Sequence, residues 1–90
     1  MSRNERVTDV TDGDTFKTGS RKNSIRLANV NAPEKGSPGA SKATQALREI
    51  INGEMVSIEI VARDKYGRSV ATVKVGNRSV NAAMRRKGYK

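Results

Sequence analysis

The stretch Val56-Ser57-Ile58-Glu59-Ile60-Val61-Ala62-Arg63-Asp64-Lys65-Tyr66-Gly67-Arg68-Ser69-Val70-Ala71-Thr72-Val73-Lys74-Val75 decides the fold class. Val56, Ile58, Ile60 and Ala62 fall at every second position, and Ala71, Val73 and Val75 do the same. That period of two places apolar side chains on one face of an extended strand. Asp64-Lys65-Tyr66-Gly67 between the two runs reads as a turn. The centre of the chain is therefore a pair of sheet strands, each with one face turned to a core.

Working upstream, the period changes. Ala40, Ala43, Leu47, Ile50 and Ile51 recur at helical spacing, and Gly53 stops that helix. Ser37 is read as its N-cap with Pro38 at its first position. Asn31 to Gly39, with Pro33, Gly36 and Pro38, is a loop. Before it, Asn23 to Val30 reads as a strand with Ile25 and Leu27 on one face, so Arg26 leaves from the other. Val7 to Val10 and Thr15 to Thr18 flank Thr11-Asp12-Gly13-Asp14, a hairpin signal. Downstream, Gly76-Asn77 is a turn and Ser79 caps a last helix, whose apolar stripe is Val80, Ala83 and Met84. Gly88 ends it.

This order predicts an α+β, mainly β fold: a five-stranded barrel of the oligonucleotide/oligosaccharide-binding (OB) type, with a helix after strand three and a C-terminal helix. Periodicity alone leaves other α+β sheets open. Ninety residues suffice for a single domain spanning 1–90, with one modest core.

Composition narrows the chemistry. The chain has no cysteine and no histidine. That excludes thiolate zinc sites, thiol nucleophiles, imidazole ligands and histidine-based triads. Carboxylates, guanidinium groups, amines, hydroxyls and a hard metal ion remain. A net charge of +9, with 18 Lys and Arg against 9 Asp and Glu, favours a polyanionic partner, nucleic acid before anionic membrane. The first twenty residues lack an apolar signal core, and no apolar run approaches the length of a membrane span. The expected location is cytoplasmic, with secretion open if a leader has been removed.

Three segments carry the chemistry: Asp12-Gly13-Asp14-Thr15; Ile25-Arg26-Leu27 running into Asn31-Ala32-Pro33-Glu34; and Asp64-Lys65-Tyr66-Gly67-Arg68. Singly, each has an ordinary explanation as a turn, a surface cation or a hairpin. Together they suit phosphodiester hydrolysis. A phosphodiester is anionic and repels nucleophiles. A metal ion on Asp14 can neutralise a nonbridging oxygen. Glu34 can orient and deprotonate water. Arg26 and Arg68 can grip the oxygens where charge gathers in the transition state.

In this order, and with Val80-Asn81, Met84 and Gly88 following, these segments resemble the staphylococcal nuclease (thermonuclease-like) family. The resemblance covers Val7 to Gly88. It implies an OB-type barrel and a calcium-dependent nuclease, in effect an endonuclease-like hydrolase of DNA and RNA that leaves a 3′-phosphate. It implies Arg26, Glu34 and Arg68 as the catalytic set and Asp14 as a metal ligand. Ala32 would offer its backbone carbonyl to the metal, and Asp12 would stand in the outer shell. Lys65 and Tyr66 would touch the phosphate of a bound nucleotide. The implied partners are nucleic acid, DNA or RNA, with no membrane and a monomeric chain.

Two departures from the family pattern follow. Where members commonly carry aspartate as a second metal ligand, this chain has Asn31. Its amide oxygen can coordinate a hard cation, but with one negative charge fewer the cation binds more weakly. The sequence also stops just after its last helix, at Tyr89-Lys90, and the binding face is expected to be more open. The alternative function is therefore the same barrel with weakened chemistry, acting as a nucleic-acid-binding module. Four further residues have structural readings: Arg21 and Lys22 as a solvated hairpin tip, Asp9 as a strand-surface charge, and Asn81 as a hydrogen-bonded tie from the last helix to a loop.

Overall fold

The computed structural model describes residues 3–90. Met1 and Ser2, the first residues of the expected 1–90 domain, lie outside the described residues. The elements run β1 (Arg3–Asp12), β2 (Thr15–Thr18), β3 (Ile25–Leu27), α1 (Ala40–Ile51), β4 (Met55–Arg63), β5 (Ser69–Val75), β6 (Arg78–Ser79) and α2 (Val80–Arg86). The sheet order is β3-β2-β1-β4-β5-β6, and β3 also pairs with β5. That pairing closes a ring of five strands: β1, β2, β3, β5, β4 and back to β1. The expected α+β barrel with a helix after strand three is the fold observed. The sixth strand is a two-residue addition at its edge, and among the described residues no helix is long and apolar enough to cross a membrane.

Alternation builds the core. Val7, Val10, Phe16, Ile25, Leu27, Val56, Ile58, Ala71 and Val73 point inward from the strands, and Leu47, Ile51, Val80 and Met84 close the ends from the helices. Phe16, the single phenylalanine, is fully buried. A truncation to alanine at such a site costs about 3–5 kcal/mol, a large part of what a domain of this size holds. On α1 the buried residues are Ala40, Ala43, Leu47 and Ile51, four of the five in the expected stripe, and the fifth, Ile50, is half-buried against the core.

Local details depart from the sequence reading in four places. Helix α1 begins at Ala40, not at Pro38, and its N-cap is Gly39 with φ 85° and no side-chain cap. Positive φ at Gly39 is a glycine conformation and cannot continue a right-handed helix back to Pro38. Ser37 still serves the helix start, but through its backbone: its carbonyl accepts the Ala40 N–H at 3.1 Å. Strand β3 is three residues rather than eight, because the chain turns at Ala28-Asn29, with Asn29 at φ 61°. The burial alternation of β4 ends at Ile58. Ile60, opposite the buried Ala71, is 39% exposed, and Val61, the extra residue at a register shift between Ile60 and Ala62, is 57% exposed.

Arg21 is the fourth. It does not simply face solvent: its Nε donates to Glu5 at 2.7 Å, and Thr18 and Ser20 hydroxyls donate to the same carboxylate. Glu5 is nearly buried on β1. Burial pushes its carboxyl up, but these hydrogen bonds and the guanidinium charge outweigh that and hold it below the usual range.

Ser79 caps α2 as expected, its hydroxyl accepting the Ala82 N–H. Asn81 is the tie that the sequence suggested. Its Oδ1 accepts from the Val73 N–H at 2.8 Å, and its Nδ2 donates to the carbonyls of Ala28 and Ala71. One buried amide thus joins α2, β5 and the bend after β3.

Candidate active site

Strand β3 is the axis of the site. Arg26 at its centre lies opposite Thr15 of β2 on one side and Val70 of β5 on the other. Ile25 and Leu27 are fully buried, so Arg26 leaves from the outer face. The β1–β2 turn is fastened to the same strand by the Leu27 N–H on the Asp14 carbonyl, 2.8 Å. On the other flank, Arg68 stands one residue before Ser69, whose register partner is Ile25. The chain leaving β3 then carries Asn31, Ala32 and Glu34 across the same mouth.

Asp12, Asp14, Arg26, Asn31, Ala32, Glu34 and Arg68 accordingly line one cleft of about 420 Å³. Lys35 completes its wall. Gly13 explains how the two loops come so close. A Cβ built there would fall 2.6 Å from the Cβ atoms of both Ala32 and Ala43. Only glycine at 13, facing alanines at 32 and 43, lets the acidic turn press against the Asn31–Glu34 loop and α1.

The polar groups form a connected set. Asp14 Oδ1 accepts the Thr15 hydroxyl at 2.9 Å, and Asp14 Oδ2 accepts the Ala32 N–H at 3.2 Å and Arg26 Nη2 at 3.5 Å. Arg26 Nη2 also donates to Asn31 Oδ1 at 2.8 Å, and its Nη1 to the Leu27 carbonyl. Arg68 is held by Asp64: Nε donates to Oδ2 at 2.6 Å and the Arg68 N–H to Oδ1 at 2.9 Å. Desolvation pulls the Asp64 carboxyl up, but the Arg68 and Tyr66 hydrogen bonds prevail and lower it, so it stays ionised as a guide for the guanidinium. The Glu34 carboxylate lies on an exposed loop and joins none of the ion pairs among the described residues.

Asp12 differs from its neighbours. Its Oδ1 is the buried side-chain oxygen left without a partner among the described residues. Burial, and then the negative charge of Asp14 beside it, push its carboxyl above the usual range. An unpaired, partly buried oxygen beside a second carboxylate is costly unless a positive group shares the site. Asp12, Asp14, the Asn31 amide oxygen and the Ala32 carbonyl make an oxygen-only donor set, the kind that hard cations take. Among the described residues no group of three acidic, histidine or cysteine side chains gathers here. The set is therefore low in charge.

Lys65 and Tyr66 lie outside the cleft lining, on the β4–β5 turn next to Arg68. The Tyr66 ring is 72% exposed, with Lys65 Nζ 5.3 Å and Arg68 Cζ 5.5 Å from its centroid. Three contributors escaped the sequence reading. Thr15 bridges two segments through its hydroxyl, and only its place beside Asp14 could have flagged it. Asp64 orients Arg68 from four residues away across a turn. Lys35 carried no signal beyond its adjacency to Glu34.

A closed five-stranded barrel that carries paired guanidinium groups and an acidic turn on one rim defines a small basic α+β barrel with an anion-and-cation cleft. The family model of staphylococcal nuclease homologues matches residues 24–90, and the chain belongs to that family. It is 29% identical over 86 residues to a protein named as an uncharacterized endonuclease of Haemophilus influenzae, covering 92% of this chain and 48% of that one. It is 34% identical over 70 residues to another protein so named from Escherichia coli O157:H7, covering 76% of this chain and 46% of that one. A probable endonuclease of Colletotrichum graminicola is 42% identical over 57 residues, covering 57% of this chain and 21% of that one. The chain spans less than half the length of these relatives.

Proposed function

We propose that this chain is a calcium-dependent nuclease that hydrolyses phosphodiester bonds in DNA or RNA. The observation that carries the reading is the convergence on one 420 Å³ cleft of Arg26, Arg68, Glu34 and Asp14, contributed by β3 and three separate loops or turns. Family membership and the relatives named as endonucleases support it.

Arg26 and Arg68 bind the scissile phosphate from opposite flanks and stabilise the charge that builds on its equatorial oxygens. Glu34 takes a proton from a water molecule as the water oxygen bonds to phosphorus. The bond from phosphorus to the 5′-oxygen breaks, that oxygen leaves with a proton from solvent, and a 3′-phosphate remains. Lys65 and Tyr66 hold a neighbouring phosphate. Asp14, the Asn31 amide oxygen and the Ala32 carbonyl would hold a calcium ion, with Asp12 in its outer shell. When bound, the ion supplies positive charge against a nonbridging phosphate oxygen.

The test is cleavage of denatured DNA with and without calcium. Glu34→Gln and Arg68→Ala are each expected to lower the rate at least about tenfold while the fold is unchanged. Full activity in both variants overturns the assignment.

A second reading, a strand-binding barrel with weakened chemistry, is favoured by one contact. The Asn31 oxygen already accepts Arg26 at 2.8 Å, and Asn31 brings no charge for a cation. Salt-sensitive binding without cleavage in any divalent metal would select it.

A further inference from the structure

On the far side of the Arg26–Asn31 segment lies a second hollow, of about 950 Å³, walled by Asn29, Thr72, Ser79, Arg85, Arg86 and Lys90 among others. Its lining includes no acidic residue. The imbalance is written along the chain: from Lys65 to Lys90 there are eight Lys and Arg residues and no Asp or Glu. None of Arg85, Arg86 and Lys90 enters an ion pair among the described residues. Arg85 Nη1 donates to the Asn29 carbonyl, which fixes one guanidinium at the edge of the hollow and ties α2 to the bend. Arg86 and Lys90 are exposed. Hydroxyls of Thr72 and Ser79 and the Asn29 side chain add neutral hydrogen-bonding groups.

We propose that this hollow is a second phosphate-binding subsite for a nucleic-acid strand that also occupies the catalytic cleft. The two hollows share a wall. Arg26 faces the cleft, Ala28 and Asn29 line the second hollow, and Asn31 and Ala32 return to the cleft. From Arg26 to Asn29 the chain covers at most about 10 Å. At ~3.4 Å per nucleotide along a stacked strand, a few nucleotides cross that wall. A flexible polyanion of repeating phosphates suits a basic, open, hydroxyl-lined surface. Few apolar side chains border it, so an apolar protein face would find little to bury. The proposal rests on nucleic acid being the ligand of the neighbouring cleft.

The experiment compares single-stranded oligonucleotides of four and twelve nucleotides by fluorescence anisotropy with EDTA present, so that cleavage does not enter. The variant is Arg86→Glu with Lys90→Glu. A control variant, Lys17→Glu with Lys74→Glu, makes the same charge change at exposed positions on β2 and β5. The groove variant is expected to bind the twelve-mer at least tenfold more weakly, with its salt slope reduced by about 1.4, and the four-mer within twofold of the parent. The control is expected to bind both within about threefold. Arg86→Gln with Lys90→Gln, which removes charge without reversing it, gives an intermediate loss. With calcium added, turnover of the four-mer is unchanged in the groove variant and kcat/KM for the twelve-mer falls.

Equal losses in the groove and control variants would reduce the effect to diffuse charge and overturn the subsite. So would a loss independent of strand length. Competition by poly-glutamate as strong as by an oligonucleotide of equal charge would assign the hollow to an acidic protein instead. Binding is read in EDTA without turnover and hydrolysis is read with calcium, so failure of the hydrolytic reading and failure of the subsite are read separately.

Discussion

Arg26 Nη2 donates to Asn31 Oδ1 at 2.8 Å, and the same nitrogen reaches Asp14 Oδ2 at 3.5 Å. A guanidinium and a side-chain amide thus share the rim where the proposed cation and the phosphate meet. Because Asn31 is neutral, Arg26 is held by charge-assisted bonds to the Asn31 and Leu27 oxygens and one long ion pair, and an entering phosphate can displace the Asn31 and Asp14 contacts. The cost falls on the cation. Replacing Asn31 with Asp adds a unit of negative charge within reach of the same donor set. The calcium concentration for half-maximal cleavage is expected to drop about tenfold in Asn31→Asp, because a gain of roughly 1.4 kcal/mol survives desolvation and competition from Arg26. A calcium titration of cleavage rate, with isothermal calorimetry on the same protein, checks it. An unchanged half-saturation point would remove Asn31 from the metal site.

Arg68 is held by a fork. Asp64 takes its Nε at 2.6 Å, and Nη1 lies 3.4 Å from the Thr15 hydroxyl, which itself donates to Asp14. A lysine keeps the charge but can satisfy neither geometry together with a phosphate. Arg68→Lys is expected to lose about a hundredfold in kcat/KM, with most of the loss in kcat. Asp64→Asn keeps a hydrogen-bond acceptor and loses the charge that orients Arg68, so its expected loss is smaller, about tenfold. Steady-state kinetics on one oligonucleotide substrate measures both. Equal activity of the lysine variant would mean that charge alone is needed.

Much of this site was legible because each of its charged members sits in a short motif whose neighbours fix its face. Arg26 had to leave the barrel once Ile25 and Leu27 were assigned inward, and both are fully buried. Asp14 was flagged by a two-strand turn, and Arg68 by the turn before β5. The helix start was misread because a serine followed by proline is a local capping signal, whereas Gly39 at positive φ is set by the path from Pro33 to Ala40. Arg21 looked solvated because its partner lies sixteen residues away on another strand. Pairings of that kind depend on strand register, which no local pattern states. The Thr15 bridge spans fifty-three residues to Arg68 and was invisible for the same reason.

Gly13 couples stability to the site. A methyl group there would meet the Cβ atoms of Ala32 and Ala43 at 2.6 Å. Those atoms belong to a tight loop and a packed helix, so relief requires the backbone to move. Overpacking of this kind costs about 1–3 kcal/mol. For a domain of this size each kcal/mol lowers Tm by about 4–8 °C. Gly13→Ala is therefore expected to melt roughly 5–20 °C lower, and its cleavage rate at a temperature where it remains folded is also expected to fall, because Asp12 and Asp14 flank the displaced residue. Thermal melts followed by circular dichroism give the first quantity. A variant with parental Tm would mean that the turn and α1 are looser than their contact implies.

Glu5 sets an acid limit on the fold. Its carboxylate accepts Thr18, Ser20 and Arg21, and its side chain is 6% exposed. Burial opposes ionisation there, yet the hydrogen bonds and the Arg21 charge win and lower the carboxyl from its ordinary 4.5. A group with a depressed folded-state pKa stabilises the protein fully above its unfolded value and loses that contribution as pH falls through the folded value. Stability from this cluster is therefore expected to hold above about pH 5 and to decline progressively below pH 4.5. Replacing Glu5 with Gln removes the charge at every pH and leaves Arg21 without its counter-ion. The variant is expected to be about 1–3 kcal/mol less stable near neutrality, with a flatter acid limb, and the two curves should converge only as pH falls through the lowered folded-state value of Glu5. Urea unfolding at a series of pH values measures the difference. Parallel curves for parent and variant across that range would show that the carboxylate carries no pH-linked share of the fold.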